Sequence, residues 1–421
     1  MRRQVSFAAA MAGLLIGSAV GCAPEATRDA PQASGAGQRG DVERDGVTDE
    51  DLERLMALGY VDFVESEAAV PAGARVLDRG RVAPGLTLFS IARGCAARLI
   101  DVDGTLVHRW ELPDCLRWDN TVLLPDGRLL VAGARRPEGP GGEPGPRFAA
   151  ELGWDGSPRW TADVDAHHDA DLLPDGRIAV LVWRRVLEPR VHPDRAVQDN
   201  GIALLDAEGR LQDELWLLEV LLDSPAWSPG DLDLRGRRTR DLLHANSVEW
   251  MRPGPLSGRH PVYDEDHVLL VLRNLDSVVV IDWRERRVVW RWGPGELSRP
   301  HDATLLPNGH VLIFDNGVES GASRVVEVDP VDGRIVWQYR AADPASFFTR
   351  TRGAAQRLEN GNTLVTSSNQ GWIFEVTREG ELVWEYRVPA VGEEGRRPAL
   401  ARARRVQRAA SDVRRRFRRS D

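Results

Sequence analysis

Three histidines recur in related phrases: "HHDADLLPDG" at 167–176, "LLHANSVEW" at 242–250 and "RPHDATLLPNG" at 299–309. His168 stands eight residues before Gly176, and His301 eight before Gly309. His244 fills the corresponding place in a copy whose turn is irregular. The matching slots in other copies hold Asp119 and Gly353, so the repeat itself does not demand histidine there. Two chemistries suit such a set. An imidazole can act as a nucleophile toward an oxyanion-rich substrate, with Arg273 in "VLLVLRNLD" as the nearby cationic donor. Alternatively, His168, His244 and His301 can ligate a metal ion that keeps open positions. Spacing alone does not separate the two, because the side chains come from different repeats in either case.

The elements that would bring these residues together are repeats. "DATLLPNGHVLIFDN" is followed by "SRVVEVDPVDGRIVWQYRA", and "GAAQRLENGNTLVTSSN" by "GWIFEVTREGELVWEYRV". Each copy has two apolar runs around an Asn-Gly turn, then two more around an Asp-Gly or Glu-Gly turn, as in a four-stranded antiparallel meander. Trp290, Trp337 and Trp384 end successive copies, and 337 − 290 = 384 − 337 = 47, within the period of propeller blades. Earlier copies align to the same frame, for about six in all. The fold expected is an all-β six-bladed propeller over residues 85–390, with an insertion in the fourth blade around "PGPLSGRHPVYDED". In a propeller the first strand of each blade lines the central channel, so residues at its start converge on one mouth. His167 neighbours His168 on a strand, and by alternation it is expected to face away as a structural residue.

Composition agrees with a turn-rich globular β protein: 42% of residues are hydrophobic, with 40 glycines and 26 prolines. All 55 basic residues are arginine, which excludes Schiff-base and lysine general-base mechanisms. The net charge of −9 is uneven. From Arg396 to Asp421 eleven arginines against Asp412 and Asp421 give +9, leaving −9 − 9 = −18 for the rest. So acidic a body is not that of a nucleic-acid binder. Residues 391–421 read as an arginine-rich, solvated and partly disordered tail, with a basic surface helix for anionic lipid or an acidic partner as the other reading.

Residues 1–22 read as an export signal: Arg2 and Arg3, then the apolar "VSFAAAMAGLLIGSAV", then "AVGC" ending at Cys22. Small residues before Cys22 resemble a lipoprotein processing site, although Ala19 stands where leucine is usual. The expected location is the periplasm or cell envelope, with a lipid anchor on Cys22 as the membrane attachment. Residues 23–47 read as a flexible tether, and 48–84 as a short amphipathic helix beginning at Thr48 plus a lead-in. Cys95 and Cys115 are either a disulfide or two buried thiols.

"HHDADLLPDG", "LLHANSVEW", "VLRNLDSVVVID", "RPHDATLLPNGHVLIFDNG" and "RLENGNTLVTSSNQGWIFEVTREGELVWEY" resemble, in wording and order, the bacterial arylsulfate sulfotransferases, over about residues 85–389. The resemblance implies an enzyme that moves a sulfuryl group from a phenolic sulfate ester to a phenol without a nucleotide sulfate donor; a phenolate leaves well enough that no metal is required, and no cofactor is expected. It implies His301 as the transiently sulfated histidine, with His168, His244 and Arg273 supporting it in the channel. Asn246, as a residue orienting His244, and Asn316, near the same mouth, are added as substrate-site candidates. Well-studied members carry an N-terminal β-domain that helps them dimerise; residues 23–84 are too few and too polar to replace it, so oligomeric state does not carry over. A metal-dependent hydrolase or lyase on the three histidines, and a propeller that binds glycans or proteins without catalysis, are the competing readings.

Overall fold

The computed structural model describes residues 63–64, 71–92, 94–113, 115–137, 145–390 and 397–406 of the chain. These belong to one compact unit, Thr48–Asp421; the other, Met1–Val47, lies outside the described residues, as do the export signal, Cys22, the tether and the expected helix after Thr48.

Among the described residues the strands form a ring of six antiparallel sheets, plus a two-stranded pair of Phe63–Val64 with Arg397–Pro398. Blades two to five are simple meanders with inner strands Cys115–Leu123, Ala166–Leu172, Ala245–Trp250 and His301–Leu305. Blade six begins at Ala354–Arg357 and gains a fifth, outermost strand from Gly73–Val76. The expected six-bladed propeller is the observed fold.

Apolar alternation on both faces of each blade requires a neighbour on each side, and the core is arranged accordingly. Each of six buried clusters spans one pair of adjacent blades, from Leu86–Trp110 against Trp118–Leu152 round to Leu364–Tyr386 against Phe89 and Leu400. The repeating tryptophans have a concrete task at these seams. Trp290, Trp337 and Trp384 each donate an indole N–H to a turn carbonyl of the next blade: Pro330 at 2.9 Å, Arg378 at 2.7 Å and Val102 at 2.7 Å. Trp110 makes the same kind of clamp to Gly153 O at 3.1 Å, so four of the six seams carry one among the described residues.

Blade one departs from the sequence expectation. Its innermost strand is Leu400–Val406, paired with Leu86–Ile91. Charge alone places that segment in a solvated tail, yet its arginines are drawn into the propeller by buried carboxylates: Arg402 pairs with Asp169, Arg404 with Asp302 and Arg405 with Glu375. Positive charge counted along the chain hides an alternation, in which Leu400, Ala401, Ala403 and Arg405 are buried and the residues between them half-buried. The ring is thus closed by joining strands from opposite ends of the propeller. A second tie is the Cys95–Cys115 disulfide between blades one and two, with Cα atoms 5.9 Å apart across a separation of 20 residues. A loop of that length predicts about 3 kcal/mol of stabilisation.

Candidate active site at the channel mouth

All the site candidates described lie where inner strands start and second strands end. The inner strands enter the channel irregularly: pairing shifts between Ala166 and Ala170, between Ala245 and Ser247, and between His301 and Ala303. These bulges coincide with left-handed backbone at His168 (φ 55°), His244 (φ 49°) and Asp302 (φ 48°). Non-glycine residues held there cost on the order of 1–3 kcal/mol each and recur at functional sites. In blade six the slot is Gly353, φ 102°, where a Cβ would lie 2.3 Å from the Phe314 ring. Glycine is required there because the neighbouring blade's aromatic core fills the space.

The histidines come together. The rings of His168 and His244 meet edge to face with centroids 4.9 Å apart. His301 is buried from the next blade, and burial, the Arg273 guanidinium and His244 hold its imidazole well below the usual range. His168 is likewise held well below it by burial and by the charges of His167, His244 and Arg147. Arg273 follows the second strand of blade four, and its turn is stitched to the His244 segment by Arg273 N–H to His244 O at 3.3 Å and Asn274 N–H to Leu243 O at 3.1 Å.

Each ring has a different partner, and the partners set the protons. Asn316, just after the second strand of blade five, donates its amide to Thr349 O at 2.7 Å and Arg352 O at 2.8 Å. Its Oδ1 is thereby the acceptor facing His301 Nδ1 at 2.6 Å, so His301 carries its proton on Nδ1 and its lone pair on Nε2. The Arg352 backbone N–H lies 3.2 Å from that Nε2. His244 Nδ1 is instead 2.6 Å from Asp241 Oδ2, and the same carboxylate accepts from the His244 N–H at 2.9 Å. Burial raises the Asp241 pKa, but His244 outweighs it and the carboxyl sits below its ordinary range. His168 Nδ1 faces His167 Nδ1 at 2.7 Å, and His167 Nε2 donates to Val182 O at 3.0 Å. His167 therefore accepts from His168, while His301 Nε2 accepts from the Arg352 N–H.

Two expectations are corrected. His167 does not face away from His168: the left-handed backbone at His168 breaks strand alternation and turns both rings into contact. Asn246 does not orient His244; it donates to Pro300 O at 3.0 Å, tying blade four to the segment before His301, and Asp241 takes the orienting position. Sequence reading missed Asp241, which sits in the stretch between blades three and four. The only signal was an acid three residues before the histidine in "DLLH". It also missed the cations around Asp119, where Arg117 lies at 2.8 Å and Arg147 at 3.1 Å and the carboxyl is lowered to about 2, their charges outweighing burial.

Among the described residues no group of three or more His, Cys, Asp or Glu side chains is arranged to hold a metal ion. No helix among the described residues is long and apolar enough to cross a membrane.

Solved structures similar to this chain include a protein of unknown function from Bacteroides caccae, 15% identical over 72% of this chain and 94% of the other, TM-score 0.49. A streptogramin B lyase is 14% identical over 80% and 97%, TM-score 0.44, and apo AztD from Citrobacter koseri 14% identical over 76% and 98%, TM-score 0.37. No curated protein matches the chain. The family described as Arylsulfotransferase (ASST) matches residues 154–388, which take in His168, His244, Arg273 and His301, and the chain belongs to that family.

Proposed function

We propose that this protein is an aryl sulfotransferase that uses no nucleotide sulfate and works through a sulfohistidine at His301. Family membership supports aryl sulfotransfer in general. The observation that carries the finer reading is the His301–Asn316 pair: a buried neutral ring with its proton held on Nδ1 presents a lone pair on Nε2 beside an arginine. In the first half-reaction His301 Nε2 attacks sulfur, the N–S bond forms and the sulfur–aryl oxygen bond breaks, its electron pair leaving with the phenolate. The transition state is loose, with charge spread over the peripheral sulfuryl oxygens, so cationic and N–H donors matter most. Arg273 serves those oxygens, and His168, whose proton is committed to His167, packs edge to face against the His244 ring. His244, backed by Asp241, gives its proton to the departing oxygen. In the second half-reaction an acceptor phenol returns its proton to His244 and attacks sulfur, and the N–S bond breaks back to neutral His301. Such a cycle is ping-pong. Arg352 N–H loses its Nε2 partner when the N–S bond forms and is then available to a sulfuryl oxygen.

The test is mass spectrometry of the protein after brief exposure to an aryl sulfate without acceptor. A sulfuryl adduct is expected on the peptide containing His301, discharged on adding phenol. Release of the phenol with no adduct on any peptide in rapid-quench samples would overturn the covalent route.

We further propose that the chain is exported and held at the cell envelope by a lipid on Cys22. The Cys95–Cys115 disulfide supports an oxidising compartment. Cys22→Ala is expected to move the protein from the membrane fraction to the soluble one, and unchanged fractionation would refute the anchor.

A further inference from the structure

Two of the site histidines are each followed by aspartate, "HHDAD" and "PHDAT", and these aspartates point into the channel below the rings. Both are buried, 3% exposed at Asp169 and 2% at Asp302. Asp169 accepts from Val248 N–H of blade four at 3.1 Å, and Asp302 from Ala355 N–H of blade six at 2.8 Å. Each carboxylate thus ties its own inner strand to the next blade at the residue after the histidine.

Asp169 also accepts from Asn120 of blade two and from its own neighbour Ala170 N–H, and the charged partners of both aspartates come from blade one. Arg402 grips Asp169 with both ends of its guanidinium, Nη1 to Oδ1 at 2.9 Å and Nη2 to Oδ2 at 3.1 Å, and its Nη2 also reaches Asp302 Oδ1 at 3.5 Å. Arg404 pairs with the same Asp302 oxygen. Both arginines stand on Leu400–Val406, the inner strand of blade one, and they line a cavity of about 480 Å³ together with Asp169 and Asp302. One strand therefore sends two cations to the anchors of His168 and His301, which sit on blades three and five.

We propose that Arg402 and Arg404 are positioning residues for sulfotransfer: through Asp169 and Asp302 they fix the bulges that aim His168 and His301, making the docked C-terminal strand part of the active-site framework. His168 and Asp302 hold left-handed backbone, which persists only where surrounding contacts over-determine it. Here those contacts are the two carboxylates. Two buried aspartates facing one channel also repel each other, and Arg402, touching both, removes that repulsion. An arginine suits the task better than a lysine because its planar fork holds one carboxylate with two N–H groups while still reaching the second.

This inference rests on the sulfotransfer reading, and the test separates the two. Arg402→Lys keeps the charge and loses the fork, Arg404→Met removes the second clamp, and Arg405→Met is the control. Arg405 lies on the same strand but pairs with Glu375 at 3.3 Å and Thr87 at 2.9 Å, away from the histidine anchors. For Arg402→Lys, kcat per folded molecule is expected to fall about 10- to 100-fold, the cost of misplacing reacting groups by up to an ångström, with KM for the donor nearly unchanged. Arg404→Met is expected to fall in the same direction. Arg405→Met lowers the melting temperature yet leaves kcat per folded molecule within about twofold. Nitrogen-15 spectra of the histidine rings should shift for His168 and His301 in the Arg402 and Arg404 variants and stay put in the control. If the wild type transfers no sulfuryl group, the sulfotransfer reading fails by itself, and the ring spectra still decide the positioning. Loss of activity merely in step with the folded fraction in all three variants, with unmoved ring signals, would overturn the proposal.

Discussion

The mouths of blades four and five present the same architecture with opposite chemistry. Each has a histidine at the entry to its inner strand beside a bulge, His244 just before Ala245 and His301 at the first strand residue. In blade four the back of the ring meets a carboxylate, Asp241, at 2.6 Å; in blade five it meets an amide, Asn316, at the same distance. A carboxylate behind the ring fixes its orientation by accepting from Nδ1, and in the proposed cycle His244 is the ring that passes a proton to and from the phenolic oxygen. An amide fixes the tautomer but adds no charge, and burial and Arg273 hold the His301 imidazole well below its usual range, which suits the proposed nucleophile. In the proposed mechanism, one repeat unit copied around a ring supplies both an acid and a nucleophile by exchanging one second-strand or loop partner. Blade two shows a third solution, in which the slot holds Asp119 and two arginines instead of a ring.

The comparison would break most sharply at His301. Replacing it with asparagine keeps a hydrogen-bonding group while removing the nucleophile, and is expected to lower aryl sulfate turnover by at least ~10³-fold. The equivalent change at His244 should be milder with an activated donor, because that ring only carries the proton. Equal losses at both positions with p-nitrophenyl sulfate would mean that the two rings do not divide the work. Measuring nitrophenolate release by absorbance for both variants in parallel decides it.

Asp241→Asn tests the division from the other side. The ring of His244 would then have an amide behind it, as His301 does. A phenol that leaves well as its anion needs no proton, so the loss should be small with nitrophenyl sulfate and about 10²-fold with unsubstituted phenyl sulfate, the lower end of general-acid effects. The slope of log kcat/KM against leaving-group pKa should therefore steepen. A uniform loss across donors would assign Asp241 to folding rather than proton transfer.

How much of this was legible in the sequence follows from what each feature depends on. The propeller is readable because its period is enforced locally, by turn glycines and by the tryptophans that recur at the ends of its blades. Histidines at equal distances from their turns were readable for the same reason. What sits behind each ring was not, since Asp241 comes from the stretch between blades three and four and Asn316 looks like an ordinary strand-end residue in "FDNG". Alternation misplaces His167 because it assumes regular strands, and the left-handed backbone at His168 cannot be inferred from residue type. The C-terminal strand is hidden because eleven arginines suggest solvent unless the carboxylates that receive them, more than a hundred residues away for Asp169 and Asp302, are known.

The finest test reverses the Asp241 change. Asn316→Asp puts a carboxylate behind His301 while keeping its acceptor, so negative charge now favours the imidazolium. In the wild type the His301 pKa lies well below the ordinary imidazole value, pressed down by burial and Arg273. Since only the neutral ring attacks, kcat/KM for the donor should stay level as pH falls through about 6.5 and decline only in more acidic solution. With the introduced carboxylate opposing those effects, the folded-state pKa of the ring rises and the acid limb moves to higher pH. The loss at neutral pH is then modest, about two- to tenfold for a shift of up to a unit past neutrality, and raising the pH should restore most of the rate. A pH-independent loss would instead mean that the carboxylate had displaced the ring, because a group lost by titration is recovered by deprotonation and one lost by geometry is not.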